Sequence, residues 1–305
     1  MHKGTLLLLC GVLSLALWSC SQSEACKQGP KVRALLATDY SSLEDFSTVV
    51  SISYLGEGKD SFTGTVKLSY LDNDQLVTSE LTDGVTQGDI SEAHKGSVWD
   101  KLVLATRSPY AVWNRKDLSK IYMLARVRPT LFGEGDVAFY DLAEASMRNI
   151  LPVNGAFHNF RDSLEKGYIN TFNHITAQSL ITALYNEEIA EYLSTVHERY
   201  AMPQLVSGLF TKDQLFDTLN FPVDNYVDII NNEIGQELGK HLKLKYGITE
   251  DTEWTAAFLC QFLNEVQAYY SNSFNVTITP FKEDDVLIVR FSNKVEAIKS
   301  AKSYL

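Results

Sequence analysis

The chain has 305 residues, a formal net charge of −11 and 45% hydrophobic residues. That length supports a sizeable core in one large or two modest domains. The acidic balance repels phosphate backbones and anionic lipid, which argues against a nucleic-acid partner.

Residues 1–19 read as an export signal. Lys3 precedes an apolar run over residues 5–18 that closes on Leu17-Trp18-Ser19-Cys20. A membrane-spanning helix needs about 20 residues, so this run fits a cleaved leader better than an anchor helix. Cys20, behind small Ser19, resembles the lipobox of a bacterial lipoprotein, in which the cysteine takes the lipid and becomes the new N-terminus. A plain secreted protein and an uncleaved anchor are the alternatives. Acyl chains of the palmitate type add about 0.8 kcal/mol per buried methylene, and two chains anchor stably. This reading places the protein in the cell envelope, lipid-anchored to an inner or outer bacterial membrane and facing away from the cytoplasm. Residues 20–31 are polar and aperiodic and read as a tether. Loss of Lys3 with the leader brings the net charge from −11 to −12.

Four cysteines are present. Cys10 leaves with the leader and Cys20 takes the lipid. Cys26 lies in the tether, and Cys260 lies among Phe258, Leu259, Phe262 and Leu263, where a buried, inert thiol is expected. No cysteine spacing suits structural zinc.

Residues 32–107 read as a small β-rich domain. Segments 47–55 and 63–71 are rich in Val, Ile, Thr and Tyr, and the loop residues 56–60 between them suggest a hairpin. Asp72-Asn73-Asp74 signals a second turn into residues 75–81. Residues 98–106 read as a strand or a short helix, and residues 32–46 are compatible with helix.

Residues 108–305 read as a mainly helical domain. Apolar residues recur at three-and-four spacing over 117–127, 141–150, 169–184, 187–206, 222–244 and 252–271. Asn186 is a suitable N-cap for the fourth of these. Residues 275–281 and 285–291 flank Lys282-Glu283-Asp284 and predict a C-terminal β-hairpin, closed by a short helix over 294–301. The expected fold class is therefore α+β.

One polar constellation carries candidate chemistry. His174, the pair His197-Glu198, and Asp228 fall on successive predicted helices. Asp224, Asp228, Asn231, Asn232, Gly235 and Gly239 recur at helical spacing, beside an apolar stripe of Val227, Ile230, Ile234 and Leu238. Each glycine costs a helix about 1 kcal/mol relative to alanine, which points to close approach of a neighbouring helix. Imidazoles and carboxylates converging in a cleft would hold a divalent metal or act as acid and base. The same groups sealed in a core would instead satisfy one another and fix helix register. No HExxH pattern is present, since Ala201 stands where its second histidine would fall, and no cofactor motif is evident.

These elements resemble an uncharacterised helical domain family of bacteria, found chiefly in large secreted or Rhs-type proteins. Its pattern is Asp-x-x-Arg-His, then His-Glu, then Asp-x-x-Asn-Asn-x-x-Gly. His174, His197 with Glu198, and Asp228 with Asn231, Asn232 and Gly235 match it over residues 170–239. Asn170 and Asn173 replace its charged Asp and Arg. The resemblance carries over no activity, but the company this family keeps brings in a toxin–immunity role. The leading expectation is a binding or structural module at the membrane surface, with an envelope protein or a small molecule as partner. A hydrolase, metal-dependent in one version and using His174, His197, Glu198 and Asp228, stands beside it.

Overall fold

The computed structural model describes residues 29–55, 64–152, 155–217 and 221–301. The leader, Cys20, Cys26 and the hairpin loop at 56–60 lie outside the described residues. The fold is mostly helical (62%), with one small antiparallel sheet near its start.

The sheet consists of β1 (Val50–Leu55), β2 (Thr65–Asp72) and β3 (Gln75–Glu80), in that order. Asn73 and Asp74, between β2 and β3, both take positive φ (50° and 60°), as two-residue hairpin turns require. Val66, Leu68 and Tyr70 alternate along β2 onto the buried face, joined by Val77 of β3.

The described helical body is built mainly from ten helices. The first five are α1 (Gln87–Lys95), α2 (Val98–Arg107), α3 (Pro109–Trp113), α4 (Arg115–Leu124) and α5 (Phe139–Arg148). They are followed by α6 (Asn170–Leu184), α7 (Glu187–Ala201), α8 (Pro222–Tyr246), α9 (Ala256–Phe274) and α10 (Val286–Ser300). α8 is the central element, with 16 of its 25 residues buried. α6 and α7 pack on it from one side, and β3 also lies against it. Sheet and helix residues share one continuous core that begins at Val32. No helix among the described residues is long and apolar enough to cross a membrane.

α6 crosses α8 closely. A Cβ at Gly235 would lie 2.9 Å from the Ile175 carbonyl oxygen, and one at Gly239 would lie 2.6 Å from that of Ser179. The helix-propensity cost of these glycines thus permits backbone-to-backbone packing at the crossing.

The α+β expectation is corrected at the C-terminus, where there is no β-hairpin. Residues 285–291 belong to the start of α10, whose Ile288, Phe291, Val295 and Ile298 are buried at helical spacing. That single buried face outweighs the β-propensity of Val286, Ile288 and Val289. Residues 275–281 contribute one isolated bridge, Ile150 to Ile278. Residues 98–106 are helical as well. Ser97 caps α2 by accepting from the Asp100 amide, while the Asp100 carboxylate accepts from the Ser97 amide at 2.6 Å.

Residues 32–46 are mainly extended, with two short helical turns. Their start is strapped across the helices. Tyr269 Oη donates to the Val32 carbonyl at 2.9 Å, and Ser273 Oγ accepts from the Ala34 amide at 2.6 Å. Cys260 is buried and free, as its apolar setting predicts.

Candidate metal centre

The approach to α6 sets the first half of the site. Residues Glu165–Ile169 form a turn kinked at Gly167, whose φ and ψ are −99° and −129°. A Cβ there would meet the Asp162 carbonyl oxygen at 2.2 Å, so only glycine fits. The kink carries Lys166 to Asp224 of α8, with Nζ 2.6 Å from Oδ2. One helical turn on, Asn170 Nδ2 donates to Asp224 Oδ1 at 3.0 Å and to Asp228 Oδ1 at 2.9 Å.

His174 follows at i+4 from Asn170 and faces the same stretch of α8. Its Nε2 lies 3.3 Å from Asp228 Oδ2, and its Nδ1 lies 3.7 Å from Glu198 Oε1. Nδ1 is also 2.9 Å from Asn232 Oδ1. Asn232 Nδ2 donates to Glu198 Oε1 at 3.2 Å. The amide is thereby oriented with its carbonyl toward the ring, where it accepts from Nδ1.

His174, Glu198 and Asp228 each offer a donor atom, and these atoms lie within 4.8 Å of one another, an arrangement suited to a metal ion. Ligands held about 2.1 Å from one ion stand roughly 3.0–3.4 Å apart when adjacent. The 3.3 Å between His174 Nε2 and Asp228 Oδ2 already falls there.

Burial dominates the electrostatics. It pushes the Glu198 carboxyl up to about 8; the His174 ring and the Asn232 amide pull it down, while Asp228 and Asp224 push it further up. Burial also raises Asp228 well above the usual carboxylate range, reinforced by Asp224 and opposed by Lys166 and Asn170. These are two costly buried acids with one imidazole between them. A divalent cation would compensate them directly.

Two of the three residues reach a cavity, while Asp228 stays buried behind them. His174, Glu198 and Asn232 line a cavity of about 760 Å³. Its walls come from α1, α4, α5, α6 and α7 and include Tyr122, Arg126, Tyr140, Leu193 and Tyr200. That volume lies within the range of small-molecule sites. His197 also lines the cavity. Its ring is accessible to water there yet hemmed in by protein, and that burial lowers its pKa to about 4, with help from His174, Arg126 and Lys166. It faces the cavity as a neutral imidazole.

The structure thus joins His174, Glu198 and Asp228 and keeps His197 beside them. It separates Asn231 and Gly235 from the cluster. Asn231 clamps Leu35, accepting its N–H at 3.0 Å and donating to its carbonyl at 2.9 Å. Gly235 serves the crossing with α6. Lys166 and the tyrosine walls were missed in the sequence; only the glycine after Lys166 hinted at a break in the helix.

No family model matches the chain, and neither a curated protein nor a solved structure matches it. His174 lies on α6, His197 and Glu198 on α7, and Asp228 on α8.

Proposed function

We propose that the chain is an envelope-anchored binding protein whose pocket holds a divalent cation on His174, Glu198 and Asp228. The observation that carries this reading is the cluster of three donor residues, two of which, His174 and Glu198, line a 760 Å³ cavity, with the His174 ring held by Asn232. One imidazole and two carboxylates suit a first-row divalent ion such as zinc or manganese. Such an ion supplies Lewis acidity toward an oxygen atom of a ligand in the cavity. Export and lipidation at Cys20 are supported by the leader sequence.

The test is elemental analysis of purified protein after exposure to zinc or manganese and removal of excess. About one equivalent per chain is expected in the unmodified protein and in His197→Ala, and far less in His174→Ala and Asp228→Asn. Substoichiometric metal in the unmodified protein overturns the reading.

One observation favours the hydrolytic version of the same site: the neutral His197 imidazole shares the cavity. A general base has to be unprotonated and within reach of the reacting water. Turnover of ester or phosphoester substrates that disappears in His197→Ala, with metal content unchanged, would assign it that role.

A further inference from the structure

Charge is distributed unevenly along this acidic chain. Between residues 95 and 128, eight lysines and arginines stand against only Asp100 and Asp117. The stretch runs from the end of α1 past α4, and Lys95, Lys101, Arg107, Arg115 and Lys116 are exposed, while Arg126 lines the cavity. Arg107 is paired with Asp89 of α1 at 3.2 Å, which leaves the others to set the local potential.

The same helices expose large apolar side chains. Val98, Trp99, Leu102 and Val103 are exposed at i, i+1, i+4 and i+5 along α2, so they form one stripe. Trp99 is 75% exposed, and Trp113, at the end of α3, is 81% exposed. Lys101 and Arg107 fall on either side of the stripe by helical rotation. Singly exposed apolar residues need no explanation, but a four-residue helix stripe that includes a tryptophan does.

We infer that α2, with the basic residues of α2–α4, is a docking surface for a bilayer carrying anionic headgroups. Tryptophan and leucine on one face of an amphipathic helix and lysine and arginine at its flanks are the chemistry of interfacial binding. The basic residues complement anionic lipid locally, within a Debye length of about 8–10 Å, although the whole molecule is acidic. A phosphate backbone would use the charges but leave the apolar stripe wet, so a nucleic acid fits the surface less well. The leader and the tether at residues 20–31 bring the body to a membrane, but the surface itself binds without them.

The test is vesicle co-sedimentation of the chain from residue 21, which keeps the whole core, since that begins at Val32. The probes are phosphatidylcholine vesicles with and without 30% phosphatidylglycerol, and a DNA duplex for comparison. Binding to the anionic vesicles is expected, weakened by high salt, with a blue shift in tryptophan emission. Trp254 is buried, so that shift reports Trp99 and Trp113. Each basic residue contributes roughly 5-fold in partitioning, so Lys101→Glu with Lys116→Glu should lower it at least about 25-fold. Trp99→Ser with Leu102→Ser should abolish the emission shift while leaving the circular dichroism unchanged. Failure to bind anionic vesicles, binding that survives both variants, or equal affinity for the duplex overturns the inference. The protein lacks Cys20 and the readout ignores metal, so a failure here is distinct from failure of the anchor or of the cation site.

Discussion

His174 Nδ1 lies 2.9 Å from the carbonyl oxygen of Asn232, and that contact turns the ring so that Nε2 meets Asp228. Nε2 is left beside Asp228, and the other end of the Asn232 amide is fixed on Glu198. Asn232→Ala should therefore lower zinc or manganese affinity by about 10–100-fold, the usual effect of losing a partner that orients a metal-binding histidine. Competition titration with a chromophoric chelator measures it. An unchanged affinity would mean that other contacts hold the ring.

The neighbouring asparagine predicts the opposite pattern. Asn231 pairs with the backbone of Leu35 and makes no contact with the cluster. In Asn231→Ala the Leu35 carbonyl still receives Thr171 Oγ1 at 3.1 Å, but the amide loses its acceptor. Unfolding in urea should show a loss of about 1–3 kcal/mol, the cost of one orphaned buried group, with metal content unchanged. Hydrogen exchange at Leu35 should accelerate.

Alanine at Gly239 should destabilise the fold despite its better helix propensity. Its methyl group would meet the Ser179 carbonyl oxygen at 2.6 Å, and backbone at a helix crossing does not yield as a side-chain end would. The propensity gain is about 1 kcal/mol, while overpacking costs roughly 1–3 kcal/mol and more where backbone must move. A lowered urea midpoint at an unchanged slope is the expected result.

Stability should fall as pH rises from about 5 to 9. Burial raises the Glu233 carboxyl to about 9, and the adjacent Glu191, which shares a hydrogen bond with it, pushes the same way. A carboxyl raised in the folded state binds more protons there than in the unfolded chain. Its contribution is complete below the unfolded value near 4.5 and is lost as pH climbs through 9. The slope for one such group reaches about 1.4 kcal/mol per pH unit. Glu233→Gln should flatten the profile in denaturant titrations at pH 5, 7 and 9. A wild-type profile already flat over that range would contradict the proton held at this pair.

The helical body was legible because α6 to α9 bury faces at a period that residue order reveals. α10 was misread because its first residues, Asp285 to Phe291, are dense in β-branched and aromatic side chains, and its period shows only once Val295 and Ile298 are included. Within the site, His174, Glu198 and Asp228 stood out as polar groups on apolar helices. Asn231 could not be told from Asn232, because α8 is enclosed on several sides and adjacent residues point about 100° apart. The tyrosines of the cavity wall come from three separate helices and share no local pattern. The basic stretch at 95–128 was readable in the sequence, but the total charge concealed it.

The strap formed by Val32, Ala34 and Leu35 has a mechanical consequence. These residues stand at the start of the core, and they are fastened by side chains of α8 and α9. Tension applied at the N-terminal end therefore reaches the central helices within a few residues. Drag on the body would load Asn231, Tyr269 and Ser273 together with the ties of Lys31 to Gln75 and of Arg33 to Asp72 at the β2–β3 hairpin.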